Sequence, residues 1–234
     1  MEIYMVKILD ISEKKLNFIC SLIDTQKRQV IEKFLNKKDK IRSLVGEILV
    51  RTIITQKLNI SNRDIVFGKN QYGKPYLIDY PNFKFNISHS GSFVVCAIDN
   101  KPIGVDIEEV KNIEYKDIVE TFFSVNEVDY IINQDINVQL NKFYEMWVLK
   151  ESYIKCCGQG LSIPLKSFSI NIEEYENIKV IINNKHKEHK FKRFDIDLGY
   201  KMAVCSLSKK ISDNIINVNQ NTLINKYCKF ILNK

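Results

Sequence analysis

The stretch between residues 103 and 108 reads Ile103-Gly104-Val105-Asp106-Ile107-Glu108. Apolar and polar side chains alternate along it, which predicts a β-strand with one buried face. Asp106 and Glu108 then share a face about 6.6 Å apart, near enough for both to reach one cation, and Gly104 leaves room for a ligand. Mg²⁺ prefers such oxygen ligands. Taken alone, the pattern favours the plainer alternative, a half-exposed strand with ordinary polar residues on its wet face.

A second group lies on a long helix predicted over residues 138–157, which stops where a C-terminal glycine is expected, at Gly158. Trp147, Glu151 and Lys155 recur every four residues and share one face. Because apolar residues flank that face, the carboxylate of Glu151 requires a compensating charge, a metal ion or a raised pKa. The alternative is an ordinary Glu–Lys helical pair, worth only about 0.3–0.5 kcal/mol on a solvated face.

Groups that suit phosphate oxygens are concentrated in the first half of the chain. They come from a Gly-Lys-Pro turn, from a predicted loop over residues 88–91 and from two helices, and they are Lys27, Arg28, Arg42, Ser43, Lys74, Ser88 and His89. A plain surface turn and a histidine that caps a strand are the alternatives. The serine–histidine pair does not indicate a hydrolase, because adjacent residues of an extended segment point apart and no G-x-S-x-G elbow is present.

The surrounding pattern predicts a repeated architecture. A helix is expected over residues 39–58, and Ser124 with Glu127 forms a capping-box signature that opens another helix. Residues 93–98 resemble residues 202–207, and each segment accompanies one long helix and several short strands. A duplicated α+β unit follows from this echo.

Composition limits the class of protein. The 234 residues suffice for one large domain or two small ones. We expect a cytoplasmic protein without a membrane span, since no apolar run approaches about 20 residues and the N-terminus lacks the features of a signal peptide. Six cysteines without a CxxC pair argue against a disulfide framework or a zinc site. The net charge of +7 favours anionic partners.

Together these segments resemble the 4′-phosphopantetheinyl transferase family, in particular its double-length, surfactin synthetase activator type. The matching pieces follow the family's order and are residues 73–75, 85–90, 104–108, 122–124 with Glu127, 147–155, 158–162 and 199–205. Each motif is short, but the ordered set is specific and extends to about Leu207.

The resemblance implies an α+β fold of two similar subdomains related by pseudo-twofold symmetry. Each is a small, mostly antiparallel sheet packed against a long helix, and the active site lies in the cleft between them. The expected division is an N-terminal subdomain over residues 1–102, a C-terminal subdomain with the metal site over residues 103–208, and a tail over residues 209–234. The tail carries no family motif, so it is expected to be dispensable.

The resemblance also implies roles for the candidate residues. Mg²⁺ would be held against the pyrophosphate of coenzyme A by Asp106, Glu108 and Glu151. Lys155 would steady the pyrophosphate and help the leaving group. The chemistry of the transfer suggests Glu151, acting directly or through a metal-bound water, as the general base. Coenzyme A would be bound by Lys27, Arg28, Arg42, Ser43, Lys74, Ser88, His89 and Lys155. Some relatives carry a further basic residue where this chain has Val30, so the 3′-phosphate would be held more weakly or differently here.

The implied reaction moves 4′-phosphopantetheine onto a serine of an acidic apo peptidyl or acyl carrier protein and releases adenosine 3′,5′-bisphosphate. A monomer suffices because both halves are in one chain, and neither nucleic acid nor a membrane is expected as a partner. The main alternative is a non-catalytic basic protein that binds coenzyme A or nucleic acid, although the lysine clusters are scattered and carry no recognised motif. A relative that binds coenzyme A but has lost transfer is disfavoured, since all three carboxylates and Lys155 are present.

Overall fold

A computed structural model describes residues 1–173 and 177–232. Its α-helices are α1 (Glu13–Ser21), α2 (Thr25–Glu32), α3 (Lys37–Leu58), α4 (Lys116–Phe122), α5 (Val125–Ile132), α6 (Ile136–Cys157) and α7 (Gln220–Leu232). Its strands are β1 (Glu2–Lys7), β2 (Phe67–Lys69), β3 (Pro75–Leu77), β4 (Lys84–Ser90), β5 (Phe93–Asp99), β6 (Ile103–Glu109), β7 (Ser169–Ile172), β8 (Ile178–Ile182), β9 (Lys185–His186), β10 (Lys190–Phe194), β11 (Tyr200–Ser206) and β12 (Ile215–Asn217). None of these helices is both long and apolar enough to cross a bilayer.

The N-terminal half is a four-stranded sheet covered on its outer face by α3. Its strand order is β12-β1-β5-β4, in which β1, β5 and β4 run antiparallel. The side chain of Asn36 caps the first turn of α3, and Asn59 ends the helix in the left-handed conformation. Ile48 of α3 and the β5 residues Val94 and Cys96 are fully buried in the same core.

The C-terminal half repeats this arrangement with a three-stranded sheet and α6. The antiparallel order is β10-β11-β6, and α6 packs on its outer face. The helix stops at Gly158, whose φ of 72° is the left-handed conformation that glycine adopts without strain. The capping box of Ser124 and Glu127 opens α5 as predicted. A small sheet of β7, β8 and β9 flanks this half.

The two sheets pack face to face through a third apolar core. It contains Ile3 and Val95 from the first sheet and Val105 and Val204 from the second, all of them fully buried. Each half is thus a small, mostly antiparallel sheet with one 22-residue helix on its outer face. This confirms the predicted α+β fold of two similar halves.

The segment around Ser88 differs from the prediction. Residues 88–91 were expected to form a loop, but β4 continues to Ser90 and only Gly91 lies in the turn, with a φ of 53°. The polar side chains of β4 point toward the second half of the molecule instead of toward solvent. Sequence patterns cannot show that partner, so a buried polar strand face was mistaken for a loop.

The C-terminal segment is not a detached tail. Strand β12 pairs in parallel with β1, and α7 packs on α3 through the buried residues Leu223, Ile224 and Tyr227. The buried amide of Gln220 accepts a hydrogen bond from the N–H of Leu9 (2.7 Å) and donates one to its carbonyl (3.0 Å). This segment therefore completes the N-terminal half, contrary to the expectation that it is dispensable.

Tyr227→Ala is expected to lower the free energy of unfolding by about 3 kcal/mol, because it removes a fully buried aromatic ring from the α3–α7 contact. Urea denaturation followed by circular dichroism measures this change. Asn225→Ala, on the exposed face of the same helix, should stay within about 0.5 kcal/mol of wild type. Equal stability of both variants would show that α7 does not contribute to the core.

Candidate active site

Side chains cover the edge of β6 that faces β4. Every second residue of β4 is polar on its inner face, and three of these side chains accept hydrogen bonds from backbone N–H groups of β6: Asn86 Oδ1 from Val105 (2.8 Å), Ser88 Oγ from Ile107 (3.4 Å) and Ser90 Oγ from Glu109 (3.1 Å). We call this set the side-chain ladder. An edge strand otherwise leaves such groups unpaired, and a buried unpaired N–H costs about 1–3 kcal/mol. The ladder therefore holds the two halves together.

The two serines of the ladder also orient the carboxylates of β6. Ser88 Oγ donates to Asp106 Oδ1 (2.9 Å), and Ser90 Oγ donates to Glu108 Oε2 (2.8 Å). A hydroxyl can accept and donate at once, so each serine binds the backbone and a carboxylate together. Sequence reasoning missed Asn86 and Ser90. The N-x-S-x-S alternation, which has the two-residue period of a strand, is the signal that could have found them.

Gly104 brings α6 into contact with β6. A Cβ atom at this position would lie 2.0 Å from the carbonyl oxygen of Ser152 and 2.4 Å from the backbone nitrogen of Cys156. The expectation that Gly104 leaves room for a ligand is therefore wrong, because the helix backbone fills the space. The close approach instead brings Lys155 Nζ to 2.5 Å from Asp106 Oδ1 and 3.1 Å from Ser88 Oγ.

Three carboxyl groups and one lysine form an electrostatically unbalanced group. Burial raises the pKa of Asp106, and Lys155 only partly opposes this. Burial and then the charge of Asp106 raise the pKa of both Glu108 and Glu151. Asp106 Oδ2 is buried and has no hydrogen-bond partner among the described residues. An orphaned carboxylate oxygen beside two repelled carboxyl groups fits a hard cation.

The carboxylates proposed as metal ligands do not surround a common point. Within residues 1–173 and 177–232, no three His, Cys, Asp or Glu side chains are arranged as a metal site. Asp106 is held by Ser88 and Lys155, and Glu108 by Ser90. Binding of one cation by these carboxylates therefore requires side-chain rotations. Within the described ranges, the Oδ2 atom of Asp106 has no hydrogen-bond partner to lose when it binds a cation.

A buried ion pair fixes the turn of α6 that carries Glu151. Lys150 and Glu127 are both fully buried and pair at 2.7 Å. Lys150 also donates to the carbonyl of Phe168 (3.1 Å), and Glu127 accepts from the N–H of Ile170 (2.7 Å). Breaking such a pair from one side typically costs about 3–5 kcal/mol. The pair therefore sets the rotation of α6 and, with it, the position of Glu151.

Lys74 does not reach a phosphate-binding position. Its ammonium group is buried and donates to the carbonyls of Ile103 (3.0 Å), Lys155 (2.5 Å) and Cys156 (3.4 Å). Burial lowers its pKa. A cation at a helix C-terminus is favoured by the helix dipole, so Lys74 caps α6 and ties the N-terminal half to it. This placement does not support direct phosphate binding by the ammonium group.

Three cationic candidates, Lys27, Arg42 and Lys155, form an electropositive wall beside His89. Burial, and then the charges of Arg42, Lys155 and Lys27, lower the pKa of His89. Arg42 also donates to the carbonyl of Gly91 (2.6 Å), at the end of β4. Lys155 belongs to this wall and also contacts Asp106, so the wall adjoins the carboxylate group.

Two other candidates, Arg28 and Ser43, do not belong to the electropositive wall. Arg28 pairs with Glu32 on the exposed side of α2 (2.8 Å), and Ser43 is buried on α3. Lys27 and Val30 line a cavity of about 560 Å³ between α2, α3 and strands β2 to β4. Val30 is half exposed there, and the basic residues of the lining are Lys27, Arg51 and Lys69.

Comparison with known proteins agrees with this architecture. Residues 10–101 match the model of the N-terminal 4′-phosphopantetheinyl transferase family, and residues 102–205 match the 4′-phosphopantetheinyl transferase superfamily. The chain is 38% identical to 4′-phosphopantetheinyl transferase Sfp of Bacillus subtilis (strain 168), over 95% of this chain and 98% of that protein. It is 40% identical to 4′-phosphopantetheinyl transferase gsp of Aneurinibacillus migulanus, over 87% of this chain and 84% of that protein.

Among solved structures, a holo-(acyl-carrier-protein) synthase from Bacillus anthracis in complex with coenzyme A matches 45% of this chain and 93% of its own, at 18% identity and a TM-score of 0.38. The sequence matches alone establish that the chain belongs to the 4′-phosphopantetheinyl transferase family. Within that family it is a transferase of the surfactin synthetase activator type, as the resemblance of its motifs predicts.

The raised pKa of Glu151 predicts a stability change that depends on pH. The folded state holds this proton more tightly than the unfolded chain, so stability falls as the pH rises from the ordinary glutamate value of 4.5 through the raised pKa. In the presence of EDTA, Glu151→Gln should therefore raise the melting temperature at pH 7, and the gain should vanish below pH 4.

Calorimetry at the two pH values measures this difference. Glu120→Gln, on an exposed site of α4, is the matched control and should leave the melting temperature unchanged at both. A destabilised Glu151→Gln variant at pH 7 would mean that Lys155 more than compensates the buried charge.

Proposed function

We propose that the protein transfers 4′-phosphopantetheine from coenzyme A to a serine of an apo carrier protein, with Mg²⁺, and releases adenosine 3′,5′-bisphosphate. The observation that carries this proposal is the buried Asp106, with its unpaired Oδ2 atom, beside Glu108, Glu151 and Lys155 at the junction of the two halves. The names of the relatives, all 4′-phosphopantetheinyl transferases, support the same reaction.

Asp106, Glu108 and Glu151 are the proposed ligands of Mg²⁺. Their oxygens are the ligand type that this ion prefers. Burial raises the pKa of all three carboxyl groups, and the charge of Asp106 raises the pKa of Glu108 and Glu151 further, so a divalent cation would stabilise their ionised forms. When bound, Mg²⁺ would neutralise charge on the pyrophosphate of the donor.

The remaining chemistry belongs to the side chains of the cleft. Lys155 is placed to stabilise charge on the pyrophosphate as the bond to the leaving group breaks. Glu151, with its raised pKa, is the proposed general base for the hydroxyl of the carrier serine. Lys27, Arg42 and His89 are proposed to bind the anionic part of coenzyme A, because Lys27 and Arg42 carry positive charge beside the imidazole of His89.

The residues that do not face the cleft act indirectly in this proposal. Ser88 acts through Asp106, and Lys74 acts through the end of α6 that carries Lys155. Arg28 would have to leave Glu32 to contact a phosphate. The large cavity beside Lys27 is the proposed location of the adenosine group, since it adjoins the wall and has mostly apolar sides.

The carrier is proposed to be an acidic peptidyl or acyl carrier domain, whose approach the net charge of +7 would steer. We also propose that a monomer acts in the cytoplasm, with the subdomains over residues 1–102 and 103–208 forming the cleft. The alternative is a basic protein that binds coenzyme A without catalysis.

Incubation with coenzyme A, Mg²⁺ and a purified apo peptidyl carrier protein should increase the intact mass of the carrier by one phosphopantetheine group. EDTA and Asp106→Ala should each abolish this gain, because both remove the proposed metal site. Electrospray mass spectrometry of the carrier measures the result directly, and proteolysis locates the modified serine.

Asp117→Ala, an exposed acidic site on α4, is the matched control and should retain full transfer. Coenzyme A that binds in calorimetry without any mass gain on peptidyl or acyl carriers would support the alternative and contradict the transferase proposal. Full activity in EDTA would refute the role of the metal while leaving transfer itself intact.

A further inference from the structure

Three thiols and one imidazole meet beyond the C-terminal end of α6, outside the candidate active site. We call Cys156, Cys157, Cys205 and His189 the thiol cluster. Cys156 and Cys157 end α6, Cys205 lies on β11, and His189 directly precedes β10. The side chains of Cys156 and Cys205 are buried in the same core, and all the described cysteines are reduced.

Gly104 holds Cys156 and Cys205 next to each other. Cys205 is directly opposite Gly104 in the pairing of β11 with β6. The backbone nitrogen of Cys156 lies against the same glycine, where a Cβ atom would be only 2.4 Å away. The two side chains share one buried core, and each thiol contributes to the pKa of the other. A disulfide between them requires the sulfur atoms to close to a bond of about 2.05 Å.

The surroundings of the two thiols differ in charge. Hydrogen bonds from Cys205 and His189, together with the charge of Lys74, lower the pKa of Cys156 to about 6. Burial opposes a charged His189, but its contacts with Cys156 and Cys157 raise its pKa to about 9. Burial and the neighbouring Cys156 raise the pKa of Cys205. Cys156 is thus the thiolate of the pair, and Cys205 keeps its proton.

A contact with Tyr153 helps to hold the imidazole of His189 beside the thiols. The Nδ1 atom of His189 is buried and has no well-aligned hydrogen-bond partner in the described part of the chain, although the imidazole lies near both Cys156 and Cys157. The ring also packs edge-on against Tyr153, with centroids 5.0 Å apart. The aromatic contact therefore holds a cationic imidazole beside the thiolate.

A cavity gives small molecules a path to this thiolate. Its volume is about 240 Å³, and Cys156 and Cys157 line it together with Asn70, Lys74 and Lys84. The two lysines make the cavity cationic, which favours the thiolate form of a lining cysteine. Bulky reagents are excluded from Cys156, whose residue is only 2% exposed, whereas a hydroperoxide is small enough to enter.

We propose that Cys156 is an oxidation site for hydroperoxides and that Cys205 is its resolving thiol. The Cys156 thiolate attacks the terminal peroxide oxygen, the O–O bond breaks, and Cys156 becomes a sulfenic acid while hydroxide or alkoxide leaves. The Cys205 thiol then attacks that sulfur, the S–O bond breaks, water leaves, and a Cys156–Cys205 disulfide forms. The peroxide is reduced by two electrons and the two thiols are oxidised by two.

The disulfide would act on the residue next to Cys156. Lys74 donates to the carbonyls of both Lys155 and Cys156, so a shift of Cys156 toward β11 changes the support of Lys155. Lys155 in turn contacts Asp106. Oxidation of the thiol cluster therefore weakens the active site, and this consequence alone rests on the proposed function.

The first measurement treats the full-length protein with hydrogen peroxide and records its intact mass and its non-reduced peptides. We expect a loss of about 2 Da, the two hydrogens removed by a disulfide, and a peptide that links Cys156 to Cys205. Cys156→Ser and Cys205→Ser should each abolish the link, whereas Cys20→Ser, a buried cysteine of α1, should retain it. In Cys205→Ser, dimedone added together with urea after the peroxide, so that the buried site is opened, should label Cys156 as the trapped sulfenic acid.

An unchanged mass, a link that uses Cys157 or Cys228, or dimedone label away from Cys156 would each overturn the proposal. If either serine variant fails to fold, His189→Gln keeps all six thiols and should oxidise several-fold more slowly; an unchanged rate contradicts the role of the imidazole. Oxidised wild type should lose most of its transfer rate and recover it with dithiothreitol. If the reduced protein shows no transfer, the proposed function fails while the disulfide result stands separately.

Discussion

The side-chain ladder between β4 and β6 is the interaction on which the rest of the structure depends. Ordinary backbone pairing of these two strands would merge the two sheets into one and leave no cleft. Instead Asn86, Ser88 and Ser90 take the N–H groups of β6, and the two sheets stay separate and packed face to face. The hydroxyl groups of the two serines donate hydrogen bonds to Asp106 and Glu108. The Oγ atoms of Ser88 and Ser90 therefore both join the two halves and orient the carboxylates.

This arrangement places charge where it is costly for the fold. Burial disfavours the ionised forms of Asp106, Glu108 and Glu151, the charge of Asp106 adds to this at the two glutamates, and Lys155 offsets it only in part. Rigid anchors surround the group, namely the buried pair of Lys150 with Glu127 and the cap of α6 by Lys74. A destabilised site held by stable surroundings is common where binding of a ligand relieves the repulsion. The ionised carboxylates are thus a cost to the fold, which the proposed Mg²⁺ would relieve.

The sequence predicted features that depend on local rules. The end of α6 at Gly158 and the capping box at Ser124 follow from neighbouring residues alone, and both are confirmed. Asp106, Glu108, Glu151 and Lys155 lie in two short motifs, so their types and spacing are visible in the amino-acid sequence itself. The family resemblance supplied the expectation that the two motifs meet, which periodicity could not.

Features that depend on distant partners were missed or misplaced. The polar inner face of β4 was predicted to be a loop, because the sequence does not show that strand β6 of the other half contacts it. Lys74 was expected to bind phosphate, because the sequence does not show that its ammonium group donates to backbone carbonyls of the other half. The C-terminal segment was expected to be dispensable, because the sequence does not show that β12 pairs with a strand more than 200 residues earlier. Apart from the N-x-S-x-S alternation of β4, the deciding contacts have no local sequence signal.

Amide hydrogen exchange, measured residue by residue by NMR, tests the side-chain ladder most directly. The N–H groups of Val105 and Glu109 lie on the β4-facing edge of β6, where no backbone acceptor among the described residues pairs with them. The ladder predicts that they exchange slowly, and that Asn86→Ala accelerates Val105 while the amide of Val95, inside the first sheet, is unaffected. Rapid exchange of Val105 in the wild type, or equal acceleration of both amides in the variant, would contradict the account.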